Sequence, residues 1–417
     1  MAPAQAYLDP RAPGFRSDPY PMLAALRAEA PVHWSPALKG WVVLRYEQVK
    51  HVLHSPQHSA DSFSPYYNAL PSVHQQNCET LMRYLGNWLV FIDPPKHTRM
   101  RRLTAKVFTT RSLLQIQPNV EAIAAHLIGE MEQAHAQGND EMDLVAAFSN
   151  PLPAYVIMDM LGVPRAMLPD MKIWSDEIKL FIGVAQGVPD KYDRARHGVE
   201  AMAEAFRALI GEHRKNPRDN ILSLLIAARD DADGGKLTDD ELIATAILFL
   251  FAGHETTTNL ITMASRALML DSELRATFQR LRAFEEVELA VEEFLRHDGP
   301  TPVMMRVAAE DHELGRQHIA KGERVFPVIA SANRDGDIFH DADRIDLSRT
   351  ANRHMTFGFG THFCLGAPLA RMEAQIALPE LHRRFPAMQL TGDTEWADGL
   401  TLRGPVALPV RLTDHRH

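Results

Sequence analysis

The stretch FGFGTHFCLGAPLAR, residues 357–371, sets Cys364 between a glycine-rich turn and the start of a helix. The chain of 417 residues carries one other cysteine, Cys78, and two thiols so far apart do not make a disulfide framework. Glycines at 358, 360 and 366 let the backbone run flat against a large ring, and Phe357 and Phe363 offer apolar cover. A helix beginning near Leu365 turns its first N–H groups toward the sulfur, which favours a thiolate.

Four roles for Cys364 compete. A structural thiol needs no glycine-rich approach. A nucleophile wants a base, and His362, two residues away on a turn, is poorly placed to aim at it. A zinc ligand wants a second cysteine nearby, and there is none. An axial haem ligand uses every feature of the stretch: the flat approach, the apolar cover and the stabilised thiolate.

Working outward, composition sets the frame. Hydrophobic residues make up 46% of the chain, enough for a large core, and 44 basic against 53 acidic residues leave a net charge of -9. That balance favours solubility and gives no global case for nucleic acid. The N-terminal MAPAQAYLDPRAPGF has no apolar run, so neither a signal peptide nor a membrane anchor is expected, and a cytoplasmic setting follows. VHW (32–34) and GWVVLRY (40–46) predict a hairpin. Residues 97–297 are mostly helical in pattern, VMMRVA and RVFPVIASA read as strands around the turn KGE (321–323), and a last long helix runs to Arg384. Pro379 predicts a kink in that helix. The fold class is mainly α with a minor β portion.

One helix departs from an ordinary core pattern. KLTDDELIATAILFLFAGHETTTNLITMASRAL opens with Thr238 and Glu241 in capping-box spacing, then turns apolar on every face from Ala246 to Ala252. AGHETTT follows, placing an acid and three threonines in a buried helix, which needs a reason. The second histidine of a zinc-protease H-E-x-x-H is missing. His51, His54 and His58 share a helical spacing without a carboxylate or cysteine, and read as surface histidines.

The pattern Phe357-x-x-Gly360-x-His362-x-Cys364-x-Gly366 resembles the haem-binding loop of the cytochrome P-450 superfamily of haem-thiolate monooxygenases. The resemblance implies a cytochrome P-450 fold, with haem b held between the long central helix and the cysteine loop. It implies Cys364 as the iron's axial ligand, with Phe357, Gly358, His362 and Gly366 around the cofactor. His97 and Arg101 in HTRMR match propionate-binding positions, and so does Arg306. Glu293 and Arg296 in EEFLR, with Arg349 further on, match a structural charge network. AGHETT resembles the oxygen-activation motif: Ala252 and Gly253 leave room for dioxygen, and Glu255 and Thr256 form the acid–alcohol pair that manages protons. Threonines 257 and 258 are expected to bond back to helix carbonyls.

By the same analogy the substrate pocket is expected from Trp88, Leu89, Val90, Leu248, Phe251, Val303, Met304, Leu400, Thr401 and Leu402, nearly all apolar, implying a hydrophobic small molecule. Residues 1–417 are expected to form a single haem-binding monooxygenase domain with no fused reductase. Electrons then come from a ferredoxin or flavodoxin fed by an NAD(P)H-dependent reductase, with Arg99, Arg102 and Lys106 as a docking face. O2 is the co-substrate. Two alternatives share the fold: a peroxide-driven peroxygenase or decarboxylase, and a non-enzymatic haem sensor.

Overall fold

The computed structural model describes residues 7–108, 110–182, 188–230 and 234–413. The central helix, Asp239–Leu270, is the axis around which the other helices pack. Its start follows from local chemistry: Thr238 accepts the Glu241 N–H at 3.2 Å, and the Glu241 carboxylate accepts the Thr238 N–H at 2.9 Å. The two bonds satisfy donors that a helix N-terminus leaves open. At about 1.5 Å per residue the helix is about 48 Å long. Its first half is buried all round, so its stability comes from packing on every side.

Among the helices that press on it are Pro151–Leu161, Lys191–Lys215, Ser72–Leu85 and the ligand helix Ala367–Arg384, which follows the cysteine loop. The ligand helix passes through Pro379 without a break in its assignment. It begins two residues later than the sequence suggests, with Gly366 as its N-cap and Pro368 in its first turn, where a missing N–H costs nothing.

The β portion lies to one side. The predicted hairpin forms as Val32–Ser35 against Gly40–Val43, and Tyr46 already belongs to a helix, Tyr46–His54. Gly40–Val43 pairs in parallel with Arg324–Pro327, which pairs antiparallel with Arg306–Ala308, which pairs with His58–Ser59. Residues 303–305 are not strand, and Ile329–Ala332 is a helical turn, so both predicted strands are shorter than their sequence patterns. A small hairpin, His312–Leu314 with Gln317–Ile319, was not expected. Among the described residues no helix is long and apolar enough to cross a membrane.

The expectation of surface histidines holds only in part. His51 and His54 are exposed, but His58 is buried, with its Nε2 3.0 Å from Nε2 of His312. The cause is the sheet: pairing His58 with Ala308 carries its side chain under the small hairpin. No group of three or more metal-ligating side chains occurs among the described residues.

Candidate active site

The cysteine loop is built on reversed backbone. Gly358 and Gly360 have φ of 75° and 69°, and the Cys364 N–H donates to the Phe357 carbonyl at 2.8 Å, closing the loop on itself. Gly360 is needed for a second reason: a Cβ there would lie 2.8 Å from His54 Nδ1. The Cys364 thiol is free and opens to the surface on one side, with protein atoms crowded around the rest of it. Burial pushes its thiol up, while the Gly366 and Ala367 N–H groups, Arg101 and Arg371 pull it down, and burial wins.

Arg371 closes the quoted stretch and was given no role by the sequence. Its guanidinium lies 4.5 Å from the centre of the Phe357 ring and donates to Glu292 at 2.6 and 2.8 Å. His354 donates to the same carboxylate at 3.0 Å while its Nδ1 accepts the Thr356 N–H. An arginine just past the first turn of the helix that follows the cysteine was the available signal. The next residue along, Glu293, is fully buried with Arg296. Arg296 forks onto it with two bonds of 2.8 Å, and Arg349 adds a third at 3.1 Å. The structure thus brings Glu293, Arg296 and Arg349 into one buried network on the helix Phe284–His297.

His97, on the helix Lys96–Ala105, faces His362 with ring centres 4.3 Å apart. Both His97 nitrogens and His362 Nδ1 are buried without a partner among the described residues. Burial, then Arg306 and His97, push His362 down to about 3, and burial lowers Arg306 to about 10. Arg306 donates to the Met305 carbonyl at 2.9 Å, and Asp93 opposes the effect of burial on it only weakly. Buried imidazole nitrogens without partners beside a buried, poorly compensated cation suit a group that brings its own carboxylates. Arg101 donates to the Phe363 carbonyl at 2.6 Å, tying this helix to the cysteine loop. With the thiol beside them, these residues fit a haem bearing two propionates.

Arg99, Arg102 and Lys106 are engaged elsewhere. Arg99 pairs with Glu241, Arg102 with buried Asp230 at 2.7 Å, and Lys106 donates to the Arg229 carbonyl at 2.7 Å. Arg99 thus reaches the first turn of the central helix, while Arg102 and Lys106 bind the segment before it and keep exposed side chains.

The polar insertion of the central helix is resolved residue by residue. Thr256 Oγ1 donates to the Ala252 carbonyl at 2.9 Å, so the back-bonding expected of Thr257 and Thr258 belongs to Thr256. Thr257 lies beside Glu373 of the ligand helix, and Thr258 Oγ1 has no partner among the described residues. Gly253 also departs from expectation. A Cβ on it would sit 2.9 Å from Ile157 Cγ1, so its smallness is needed to admit the helix Pro151–Leu161, a packing role the sequence did not announce.

Glu255 is buried and receives Lys179 Nζ at 2.7 Å from the covering helix Leu168–Ile182. Lys179 also meets Asp176 at 2.9 Å. Burial acts to raise the Glu255 carboxyl, but Lys179 and then His254 outweigh it and hold it well below the carboxylate range. Lys179 lies 76 residues upstream, and nothing in the local sequence marks it.

The expected pocket residues divide among three regions. Trp88, Leu89, Leu248 and Phe251 share the main buried cluster, with Trp88 and Phe251 ring centres 5.4 Å apart, and Ala252 and Leu402 pack against it. Phe63, Phe91 and Phe181 extend these rings and were missed. Val303 and Leu400 instead pack with Leu23 and Val328, on a pocket beside the N-terminal segment. Met304 reaches toward Gly358, Val90 is 43% exposed, and Thr401 donates to the Ile182 carbonyl at 3.3 Å.

Comparison with known proteins agrees with this geometry. The family model described as Cytochrome P-450 matches residues 39–397. The cytochrome P-450 monooxygenase PikC of Streptomyces venezuelae is 35% identical over 408 residues, covering 95% of this chain and 92% of that one. The mycinamicin IV hydroxylase/epoxidase of Micromonospora griseorubida is 38% identical over 378 residues, covering 89% of each. A crystal structure of P450BioI in complex with a hexadec-9Z-enoic acid ligated acyl carrier protein superposes with a TM-score of 0.86 at 31% identity, covering 96% of this chain and 99% of that one. The chain belongs to the cytochrome P-450 family, whose members use haem b, and it is an oxygenating oxidoreductase with the fold of that family.

Proposed function

We propose that this monooxygenase inserts one atom of O2 into a C–H bond of a hydrophobic small molecule, with electrons from a separate protein. One observation carries the reading: Glu255, buried and ion-paired, sits beside Thr256, whose hydroxyl is docked on the Ala252 carbonyl. A buried carboxylate that stays charged costs desolvation energy, and placing it next to a hydroxyl in the middle of the central helix suits proton handling there. Residues 1–417 act as one haem domain.

Cys364 would hold the iron of haem b, and His97, His362 and Arg306 would hold its propionates, with Arg101 steadying the loop. When bound, the haem supplies oxygen activation, which thiolate ligation favours by pushing electron density toward O–O cleavage. The chain's own residues do the rest. Glu255 moves protons between Lys179 and the Thr256 hydroxyl, and Thr256 orients a donor toward the reaction centre. The ring cluster of Trp88, Phe91, Phe251 and Phe63 excludes water and favours an apolar substrate. The named relatives, a mycinamicin hydroxylase/epoxidase and a structure with a fatty acyl carrier, suit that class.

The electron donor, a ferredoxin or flavodoxin fed from NAD(P)H, would dock where the cysteine loop reaches the surface at Thr361 and Phe363, the latter 41% exposed. Free thiols at Cys78 and Cys364 suit a reducing cytoplasm. The test is Thr256→Ala in a reconstituted system with ferredoxin, reductase and a compound that shifts the ferric spectrum. NAD(P)H consumption should uncouple from product. Tight coupling in the variant refutes the proton role, and product formed from peroxide alone, never from NAD(P)H and O2, points to a peroxygenase.

A further inference from the structure

His254 is the one titratable residue of AGHETTT that the reading above leaves unused, and it is 3% exposed. Its Nδ1 lies 2.7 Å from the Leu250 carbonyl oxygen, one helical turn back. A carbonyl has no proton to give, so Nδ1 carries one. The opposite nitrogen, Nε2, lies 3.4 Å from Glu255 Oε1. In a singly protonated ring that nitrogen would turn a lone pair toward a carboxylate in a buried site, which is repulsive. A second proton on Nε2 converts the contact into an ion pair.

We propose that His254 is a positioning and proton-holding residue that acts through Glu255: its imidazolium Nε2 stores the proton that Glu255 Oε1 receives and passes on toward Thr256. The proposal rests on the monooxygenase reading and gives its proton path a source. Glu255 alone is a poor store, because Lys179 holds it as a carboxylate by its other oxygen, Oε2, at 2.7 Å. The two Glu255 oxygens therefore have different duties. Oε2 is anchored to the covering helix, and Oε1 faces the ring. In the transfer the N–H bond at Nε2 breaks and an O–H bond forms at Oε1. Imidazolium becomes neutral imidazole and carboxylate becomes carboxylic acid, with no change in total charge. Solvent replaces the proton at the outer end, where Lys179 Nζ also meets Asp176 at 2.9 Å and the Asp176 side chain is 41% exposed. Among the described residues, the charged groups linked to His254 are Glu255 on its own helix and, through it, Lys179 and Asp176 across from it. Asp176 is shared with the outer Lys172 at 3.0 Å. The Phe251 ring stands edge-on at 6.5 Å and shields the imidazole from the apolar side.

The test is nitrogen-15 NMR of histidine-labelled full-length haem protein, kept diamagnetic as the ferrous carbon monoxide form, with the His254 signal identified by its loss in His254→Asn. Both ring nitrogens should be protonated at pH 7, and Glu255→Gln should return the ring to a single proton. A neutral ring at pH 7 in the unmodified protein, or one whose protonation ignores Glu255→Gln, overturns the proposal. This readout needs no turnover, so it stands apart from the oxygenation assay. In turnover, His254→Asn should lose about tenfold in kcat at pH 7 and change the shape of the pH profile, with KM little changed. A parallel loss at every pH would mean a structural role only.

Discussion

Glu373 of the ligand helix offers a sharp test of how this core handles charge. It is 1% exposed, and burial pushes its carboxyl up to about 8 from 4.5, with the neighbouring Thr257 hydroxyl opposing the rise. Neither oxygen has a partner in good hydrogen-bond geometry among the described residues, which is why burial prevails. A carboxyl raised on folding stabilises fully below the unfolded value of 4.5, and that stability is lost as pH rises through about 8. The gap, at about 1.4 kcal/mol per unit, amounts to about 5 kcal/mol in all and about 3 kcal/mol at pH 7. Glu373→Gln removes the titration and keeps the shape. Its extra amide N–H without an acceptor costs about 1 kcal/mol. The variant should therefore be more stable than the parent by about 2 kcal/mol at pH 7. Equilibrium urea unfolding at pH 5, 6, 7 and 8 reads the difference, which should grow by about 1.4 kcal/mol per unit up to pH 7 and flatten near 8. A difference that does not change with pH refutes the argument, because it would mean Glu373 is already ionised in the native core.

Two further outcomes follow from geometry. Gly253→Ala should destabilise by about 1 to 3 kcal/mol through overpacking against Ile157, and Ile157→Ala in the same chain should recover part of that loss in urea unfolding. Glu293→Gln breaks a fully buried charge pair and should cost about 3 to 5 kcal/mol, seen as a lower urea midpoint, with haem retention falling alongside.

What the sequence made legible was whatever depends on near neighbours along the chain. The capping box at Thr238, the Glu293–Arg296 spacing and the glycine-rich turn before Cys364 are local patterns with fixed physical meanings. Partners brought in from afar were not readable. Lys179 reaches Glu255 because two helices cross, and His58 meets His312, 254 positions on, because a short strand pairs His58 with Ala308. Gly253 shows a subtler limit. A small residue announces that something comes close, but only packing tells whether that neighbour is a ligand or another helix, here Ile157. Val303 and Met304 make the same point. They are adjacent apolar residues that turn to opposite sides, one toward the N-terminal cluster and one toward the cysteine loop.

The two adjacent acids of the helix Phe284–His297 hold the cysteine loop together. Glu293 grips the approach through Arg349 and Asn352, and Glu292 ties the approach to the exit through His354 and Arg371, which presses on Phe357. The sulfur is thereby held like a stone in a two-pronged setting, both prongs cast from one rod. The covering helix Leu168–Ile182 bears on the central helix through Lys179 and has no part in either prong. Rearrangement on that side can shift the Glu255 ion pair while the cysteine loop stays still.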